Sequence, residues 1–144
     1  MSESELKVEK ITRGIVIDHI KTGNGLKIFN KLNLGELDKA IALLINVPSS
    51  KMGRKDIIKI SDVLDFDLTM LVLIDPDITL DYIDEGKVIK KIKLELPKTV
   101  RGLLKCRNAR CITSAESYLE SIFYLVDRSS RTYCCHYCDE FLRV

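Results

Sequence analysis

The residues best suited to chemistry in this chain of 144 are four cysteines near its C-terminus, Cys106-x4-Cys111 and Cys135-x2-Cys138. Two short pairs, 23 residues apart, have the spacing of a four-thiolate metal site built from two turns. A tetrahedral Zn²⁺ takes four ligands at about 2.3 Å per thiolate, and a Cys-x(2–4)-Cys spacing lets one tight turn supply two of them. Protein fills all four positions, so none is open to water or substrate, and the ion is expected to be structural. A four-thiolate iron site or a redox pair would use the same ligands. Disulfides fit less well. All five cysteines lie in the last 39 residues, and Met1-Ser-Glu-Ser-Glu-Leu-Lys has no apolar signal core, so an oxidising compartment is not implied. Cys135 makes the better knuckle, since Cys134 would give a looser x3 spacing. Cys134 and His136 are expected to be bystanders.

Two other polar groupings stand out. Asp18 and His19 interrupt the apolar run Ile15–Ile20, and adjacent strand residues point to opposite faces, so the two are not expected to form a dyad. Either a polar strand end or the floor of a ligand site would explain them. Met52-Gly-Arg-Lys-Asp-Ile-Ile-Lys-Ile60 gathers three cations near a glycine. Lysines bind phosphate as point charges, but the same stretch would serve as a solvated turn leading into an amphipathic strand. It is not a Walker loop, and no Gly-x-Gly-x-x-Gly fingerprint is present. With only His19 and His136 available as histidines, no catalytic set assembles.

The elements that must position these residues form two groups. Leu6–Ile11 alternates as a half-buried strand does. Ile15–Ile20 reads as a second strand, and Gly23-Asn-Gly opens a short helix with Leu26, Phe29 and Leu32 on one face. Ala40–Val47 reads as a buried strand stopped by Pro48, and Ile57–Ile60 as another. Asp65–Ile74 is the second helix, ended before Pro76. Ile78–Ile83 and Lys87–Leu94 form a hairpin around Asp84-Glu-Gly. This β-α-β-β-α-β order predicts a ferredoxin-like α+β sandwich, an antiparallel sheet with two helices on one face. Pro97 separates it from a small all-β, zinc-ribbon-like unit with strands at Tyr118–Val126 and Arg131–Cys135. The expected domains are residues 1–97 and 98–144. Residues 1–96 carry 15 basic and 16 acidic side chains, and residues 98–144 carry 8 and 5. A zinc tetrathiolate would remove most of the second unit's small positive excess, which argues against its being a zinc-ribbon nucleic-acid-binding protein. A rubredoxin-like electron carrier is the other rival. No apolar run approaches the ~20 residues of a membrane-spanning helix, so a cytoplasmic chain is expected.

Four stretches together carry a resemblance: Arg13-Gly-Ile-Val-Ile-Asp-His-Ile, Asn46-Val-Pro-Ser, Met52-Gly-Arg-Lys-Asp-Ile-Ile-Lys-Ile, and the two cysteine pairs. In this order and spacing the chain resembles the regulatory chains of aspartate carbamoyltransferase. The resemblance implies a non-catalytic subunit of pyrimidine biosynthesis, with an allosteric nucleotide-binding domain and a zinc domain that docks on catalytic chains. Such chains pair through their allosteric domains and bridge two catalytic trimers into a dodecamer of six catalytic and six regulatory chains. The effectors implied are CTP, UTP and ATP. By position, the nucleotide site falls on Val8, Glu9, Lys10, Ile11, Val16, Asp18, His19, Lys59, Ile83, Val88 and Lys91. The metal ligands are Cys106, Cys111, Cys135 and Cys138, and the catalytic-chain contacts are Asn108, Arg110 and Glu116. The family's asparagine before the hairpin stands here as Asp81, its hairpin tyrosine as Gly86, and a second knuckle asparagine as Arg110.

Overall fold

The computed structural model describes Val8, residues 10–65, Leu68 and residues 70–144. Its first sheet contains β1 (Gly14–Ile20), β2 (Ile41–Ser49), β3 (Gly53–Ser61), β4 (Thr79–Asp84) and β5 (Lys87–Lys93). They lie in the order β2-β3-β1-β4-β5, and every neighbouring pair is antiparallel. Helix α1 (Asn24–Lys31) follows β1, and the single turn α2 (Leu71–Ile74) precedes β4. Strand alternation sets the layers. Ile15, Ile17, Ile58, Ile60 and Leu80 point inward, fully or almost fully buried, and pack with Ile28 of α1 and Leu71 of α2. Each such side chain is worth about 1.5–3 kcal/mol of burial. The residues between them, including Val16, Lys59 and Asp81, face the other way.

Several expectations are corrected by packing. The buried stripe of α1 is Gly25 and Ile28, with Phe29 and Leu32 partly buried against the core, while Leu26 is 51% exposed. β2 runs two residues past the expected stop and includes Pro48. It is an edge strand with no fully buried residue, and an edge tolerates a proline because its missing N–H costs no ladder bond there. β3 is longer than Ile57–Ile60, because its hairpin with β2 pairs Ser49 with Gly53. Of the expected Asp65–Ile74 helix, only Leu71–Ile74 is helical among the described residues. Positions 66, 67 and 69 lie outside them. Positions 6, 7 and 9 of the expected Leu6–Ile11 strand also lie outside the described residues, and Val8, Lys10 and Ile11 are irregular. The β4–β5 turn is formed by Glu85 and Gly86 at φ 52° and 77°, the two positive angles that a type I′ hairpin demands.

The second sheet has the order β6-β7-β8-β9, from β6 (Thr99–Arg101), β7 (Ile122–Asp127), β8 (Thr132–Cys135) and β9 (Phe141–Arg143). Between β6 and β7 lies the short helix α3 (Ile112–Ala115). The expected strands at Tyr118–Val126 and Arg131–Cys135 are present with shifted starts. Phe123, Tyr133, Cys135, Val100, Cys106 and Cys111 make its core. The Tyr133 hydroxyl donates to Pro97 O at 2.7 Å, which closes the connecting segment onto this core.

Two buried carboxylates pin the loop from β1 to α1. Asp56, fully buried on β3, accepts the Gly23 and Gly25 N–H groups on Oδ2 at 3.1 and 2.9 Å. Its Oδ1 accepts Asn46 N–H at 2.8 Å. Gly25 is needed for this approach, since a Cβ there would sit 2.7 Å from Asp56 Oδ2. Asp75, 2% exposed, accepts Lys21 N–H at 2.7 Å and Asn24 Nδ2 at 3.2 Å on Oδ2. Leaving a buried donor unsatisfied costs about 1–3 kcal/mol. Asp56→Ala strands three donors and is expected to lower unfolding free energy by about 3 kcal/mol or more. Urea unfolding of the variant beside the parent chain checks this, and a loss below about 0.5 kcal/mol would refute the pinning role.

Candidate functional site

The first knuckle is the loop between β6 and α3, and the second is the turn between β8 and β9. They meet head on. Cys106 Sγ lies 3.5 Å from Cys138 Sγ, Cys111 Sγ lies 3.7 Å from Cys135 Sγ, and all four sulfurs fall within 4.8 Å of one another. A tetrahedron with 2.3 Å metal–sulfur bonds has edges of about 3.8 Å, so the cluster fits a four-coordinate ion. The turns also aim donors at the sulfurs. Main-chain N–H groups of Asn108 serve Cys106, that of Thr113 serves Cys111, and those of Tyr137 and Cys138 serve Cys135. Burial pushes the Cys106 thiol up to about 12. The Thr113 hydroxyl, 3.1 Å from Cys111 Sγ, outweighs burial there and brings that thiol down to about 7. A cation that takes all four thiolates must therefore displace protons. Thr113 is absent from the sequence reading, because nothing in a Cys-x-Thr spacing distinguishes a sulfur donor from a helix residue.

Cys134 sits on the opposite side of β8 from Cys135, pairs with Tyr124 and Phe141 across the ladder, and is not one of the four. His136 lies edge-on to Tyr124 and Tyr137, with centroids 5.4 and 5.0 Å away. Neither approaches the metal cluster as a ligand, in line with the spacing. Asn108 shapes the first knuckle. Its Oδ1 accepts Arg110 N–H at 3.0 Å, and its carbonyl accepts Cys111 N–H at 3.0 Å and the Ser114 hydroxyl at 3.0 Å. Arg110 and Glu116 are exposed beside it. Ile112 (50%) and Tyr118 (80%) are exposed on either side of Glu116 in sequence.

In the first sheet, register brings most of the expected nucleotide residues onto one face. Ala42 pairs with Lys59, Lys59 with Val16, Val16 with Asp81, and Asp81 with Lys91. Paired residues share a face, so one row crosses all five strands on the side away from the helices. Ile83 pairs with Val88 in a second row with Gly14 and Ser61. At the β2–β3 end, Val8, Lys10, Ile11 and Lys59 join Thr12, Ala40, Ile41, Ala42 and Ser61 around a cavity of about 380 Å³. Glu9 lies outside the described residues. Ala42 and Ser61 escaped the sequence reading, though the β2–β3 hairpin register is the signal that finds them.

Asp18 and His19 depart from simple alternation. His19 has φ 57°, and the β1–β3 ladder slips between Ile17 and Ile20. This bulge returns the His19 ring to Thr79, the outward partner of Asp18, with Nδ1 2.8 Å from Thr79 Oγ1. Both residues therefore serve the open face, a correction to the expected opposition. Asp18 Oδ1 accepts His19 N–H at 2.6 Å and pairs with Lys55 Nζ at 2.9 Å. Burial raises its pKa, but Lys55 and the His19 N–H together outweigh burial and leave it below 3.8. The Lys55 pair is thus intact at neutral pH and is lost only as pH falls through the lowered value. Of the three clustered cations, Lys55 is taken by Asp18, and Arg54 donates to Asn46 O at 3.2 Å. Lys59 alone of that stretch enters the row. Asp81 Oδ1 is buried there with no hydrogen-bond partner among the described residues.

Residues 6–95 match the family model described as aspartate carbamoyltransferase regulatory chain, allosteric domain. Residues 98–143 match the model for the metal binding domain of the same chain. The regulatory chain of Clostridium botulinum is 52% identical over 135 residues, covering 94% of this chain and 92% of the relative. That of Clostridium tetani is 51% identical over 140 residues, covering 96% and 97%. The Pyrococcus furiosus regulatory chain is 43% identical over 140 residues, covering 94% and 91%. Among the described residues no helix is long and apolar enough to cross a membrane.

If the four thiolates hold the second sheet together, chelating the metal should collapse amide protection at Cys135, His136 and Asp139 while β1 and β3 stay protected. Hydrogen exchange read by mass spectrometry or NMR checks this, and unchanged protection after verified metal loss would contradict it. Metal affinity should already fall with pH above neutrality, because burial keeps Cys106 protonated up to about 12 and also raises Cys135, and should fall more steeply below about 7, where Cys111 takes a proton too.

Proposed function

Because the chain belongs to the family of aspartate carbamoyltransferase regulatory chains, we propose that its open sheet face binds nucleotide effectors and that its metal domain carries their signal to catalytic chains. It is a regulatory chain, not a catalytic one, with an allosteric domain, a metal-binding domain and a catalytic chain as partner. The domains are taken as residues 1–97 and 98–144, the ion as one structural Zn²⁺ per chain, and the effectors as CTP, UTP and ATP. The complex is a dodecamer of six catalytic and six regulatory chains, with regulatory chains paired through the first sheet. Its edge strand β2, where Ile45 is 53% exposed, supports such pairing.

One observation carries the nucleotide reading: the row Lys59–Val16–Asp81–Lys91 on a sheet face that no helix among the described residues covers. Adjacent strands lie about 4.8 Å apart, so Lys59 and Lys91 stand roughly 14 Å apart across three strand spacings. That separation suits an extended nucleoside triphosphate, with its base in the cavity bounded by Val8, Lys10, Ile11 and Ala42. Lys91 then neutralises phosphate, Val16, Ile83 and Val88 give apolar support, and His19 adds a ring beside Thr79. The unsatisfied Asp81 oxygen supplies an acceptor for a hydroxyl or amino group of the ligand. Asn108, Arg110 and Glu116, with Ile112 and Tyr118 exposed beside them, make the docking surface, where Arg110 presents five donors to a partner carbonyl or carboxylate.

Charge-assisted bonds are worth about 1.5–3 kcal/mol. Lys59→Ala and Lys91→Ala should therefore each weaken CTP and ATP binding by about 10- to 100-fold in calorimetric titrations. Isotherms indistinguishable from the parent would remove the site from this face. Stripping the metal should release the regulatory chain from catalytic trimers on gel filtration, and an intact complex after verified metal loss would sink the docking reading.

A further inference from the structure

The turn between β7 and β8 reaches across to the first sheet's helix α2. Arg131 stands in that turn with φ 56°, and Val144 N–H donates to its carbonyl at 2.9 Å. Its Nη2 donates to Val72 O at 2.8 Å and to Leu73 O at 3.2 Å. Helix α2 is split between two cores. Leu71 is buried with β1 and β3, with Ile74 packed against the same cluster. Val72 is buried with Phe123, Tyr133 and the metal cysteines, with Leu73 beside it. A one-turn helix so divided cannot shift against one core without disturbing the other, since close-packed interiors transmit strain.

The connection continues at both ends. The next residue after α2, Asp75, donates its N–H to Leu71 O at 2.9 Å and holds the Lys21 N–H and the Asn24 amide. Lys21 is two residues past His19, at the end of β1 that carries Asp18. On the other side, Arg131 leads directly into β8, which ends on the ligand Cys135. The Arg131 Nε atom is buried with no partner among the described residues. The tie to α2 is therefore made by Nη2 alone, through the Val72 and Leu73 carbonyls.

We propose that Arg131 is the positioning residue that couples the open face of the first sheet to the metal domain, through the carbonyls of α2. The proposal rests on the nucleotide reading above. Arg131 touches neither effector nor metal. It fixes α2 to the turn before β8, so that a shift of the β1–α1 loop on ligand binding displaces the second sheet as a body.

The test uses complexes reassembled from the parent, Arg131→Met or Arg131→Lys regulatory chain and the cognate catalytic chain. CTP and ATP binding, metal content, assembly and the nucleotide-induced change in catalytic activity are measured for each. Arg131→Met is expected to bind nucleotide and assemble as the parent does, while the effector-induced change in activity shrinks by about 2- to 30-fold, the range for residues that carry coupling. Arg131→Lys, which keeps one donor for a carbonyl, should recover part of that response. An undiminished response in Arg131→Met, with binding intact, overturns this proposal alone. Loss of metal or assembly in both variants overturns it too, by giving Arg131 a purely structural role. Absence of nucleotide binding in the parent overturns the nucleotide reading itself.

Discussion

Four sulfurs held within 4.8 Å of one another are the constraint on which the C-terminal half depends. Thiolates at that spacing repel, and burial opposes their ionisation, as the rise at Cys106 shows. Only a cation at the centre makes the ionised cluster favourable. The sheet around it is small, with β6, β8 and β9 of three or four residues each. Its buried apolar residues number few beyond Phe123, Tyr133 and Val100. A core of that size gains much of its stability from the metal. The metal also fixes where the knuckles point, so Asn108, Arg110 and Glu116 inherit their placement from it.

The N-terminal half obeys a different constraint. Its helices cover one face of an antiparallel sheet, and the isoleucines of β1 and β3 fill the space between. Packing on one side leaves the other side free to carry polar residues at alternate positions. That free face holds the lysines and Asp81 of the proposed nucleotide site. The two buried aspartates matter here because they hold the loop that follows Asp18 and His19. Asp56 ties it to β3 and β2, and Asp75 ties it to the segment after α2. The end of β1 is therefore connected, through ordered hydrogen bonds, to the element that the second core also grips.

Much of this was legible in the chain itself. The cysteine spacing singled out the four sulfurs that cluster and passed over Cys134 for its looser x3 spacing, and strand alternation turns that residue away from Cys135. The apolar run Ile15–Ile20 gave β1 to within one residue, and the turn residues Asp84-Glu-Gly marked the hairpin of β4 and β5 to within one residue at each end. What escaped were features set by distant partners. Leu26 reads as part of the α1 stripe, yet Gly25 is the inward residue because Asp56 needs its N–H. β2 reads as buried, but buried and edge strands have similar apolar content, and only the strand order separates them. The Asp18–His19 bulge has no local signal at all, since it arises where β1 must meet both β3 and Thr79.

Residue identity alone determined the chemistry on offer: two cysteine pairs at metal-ligand spacing and the family motifs in order along the chain. Ligand type, spacing and turn preference are local properties, so they survive in one dimension. The tertiary structure decided which side chains share a face. It placed Lys59, Val16, Asp81 and Lys91 in one row by register, removed Arg54 and Lys55 from that row by pairing them elsewhere, and divided α2 between two cores. Register and burial depend on residues far apart in the chain, and no spacing along the sequence encodes them.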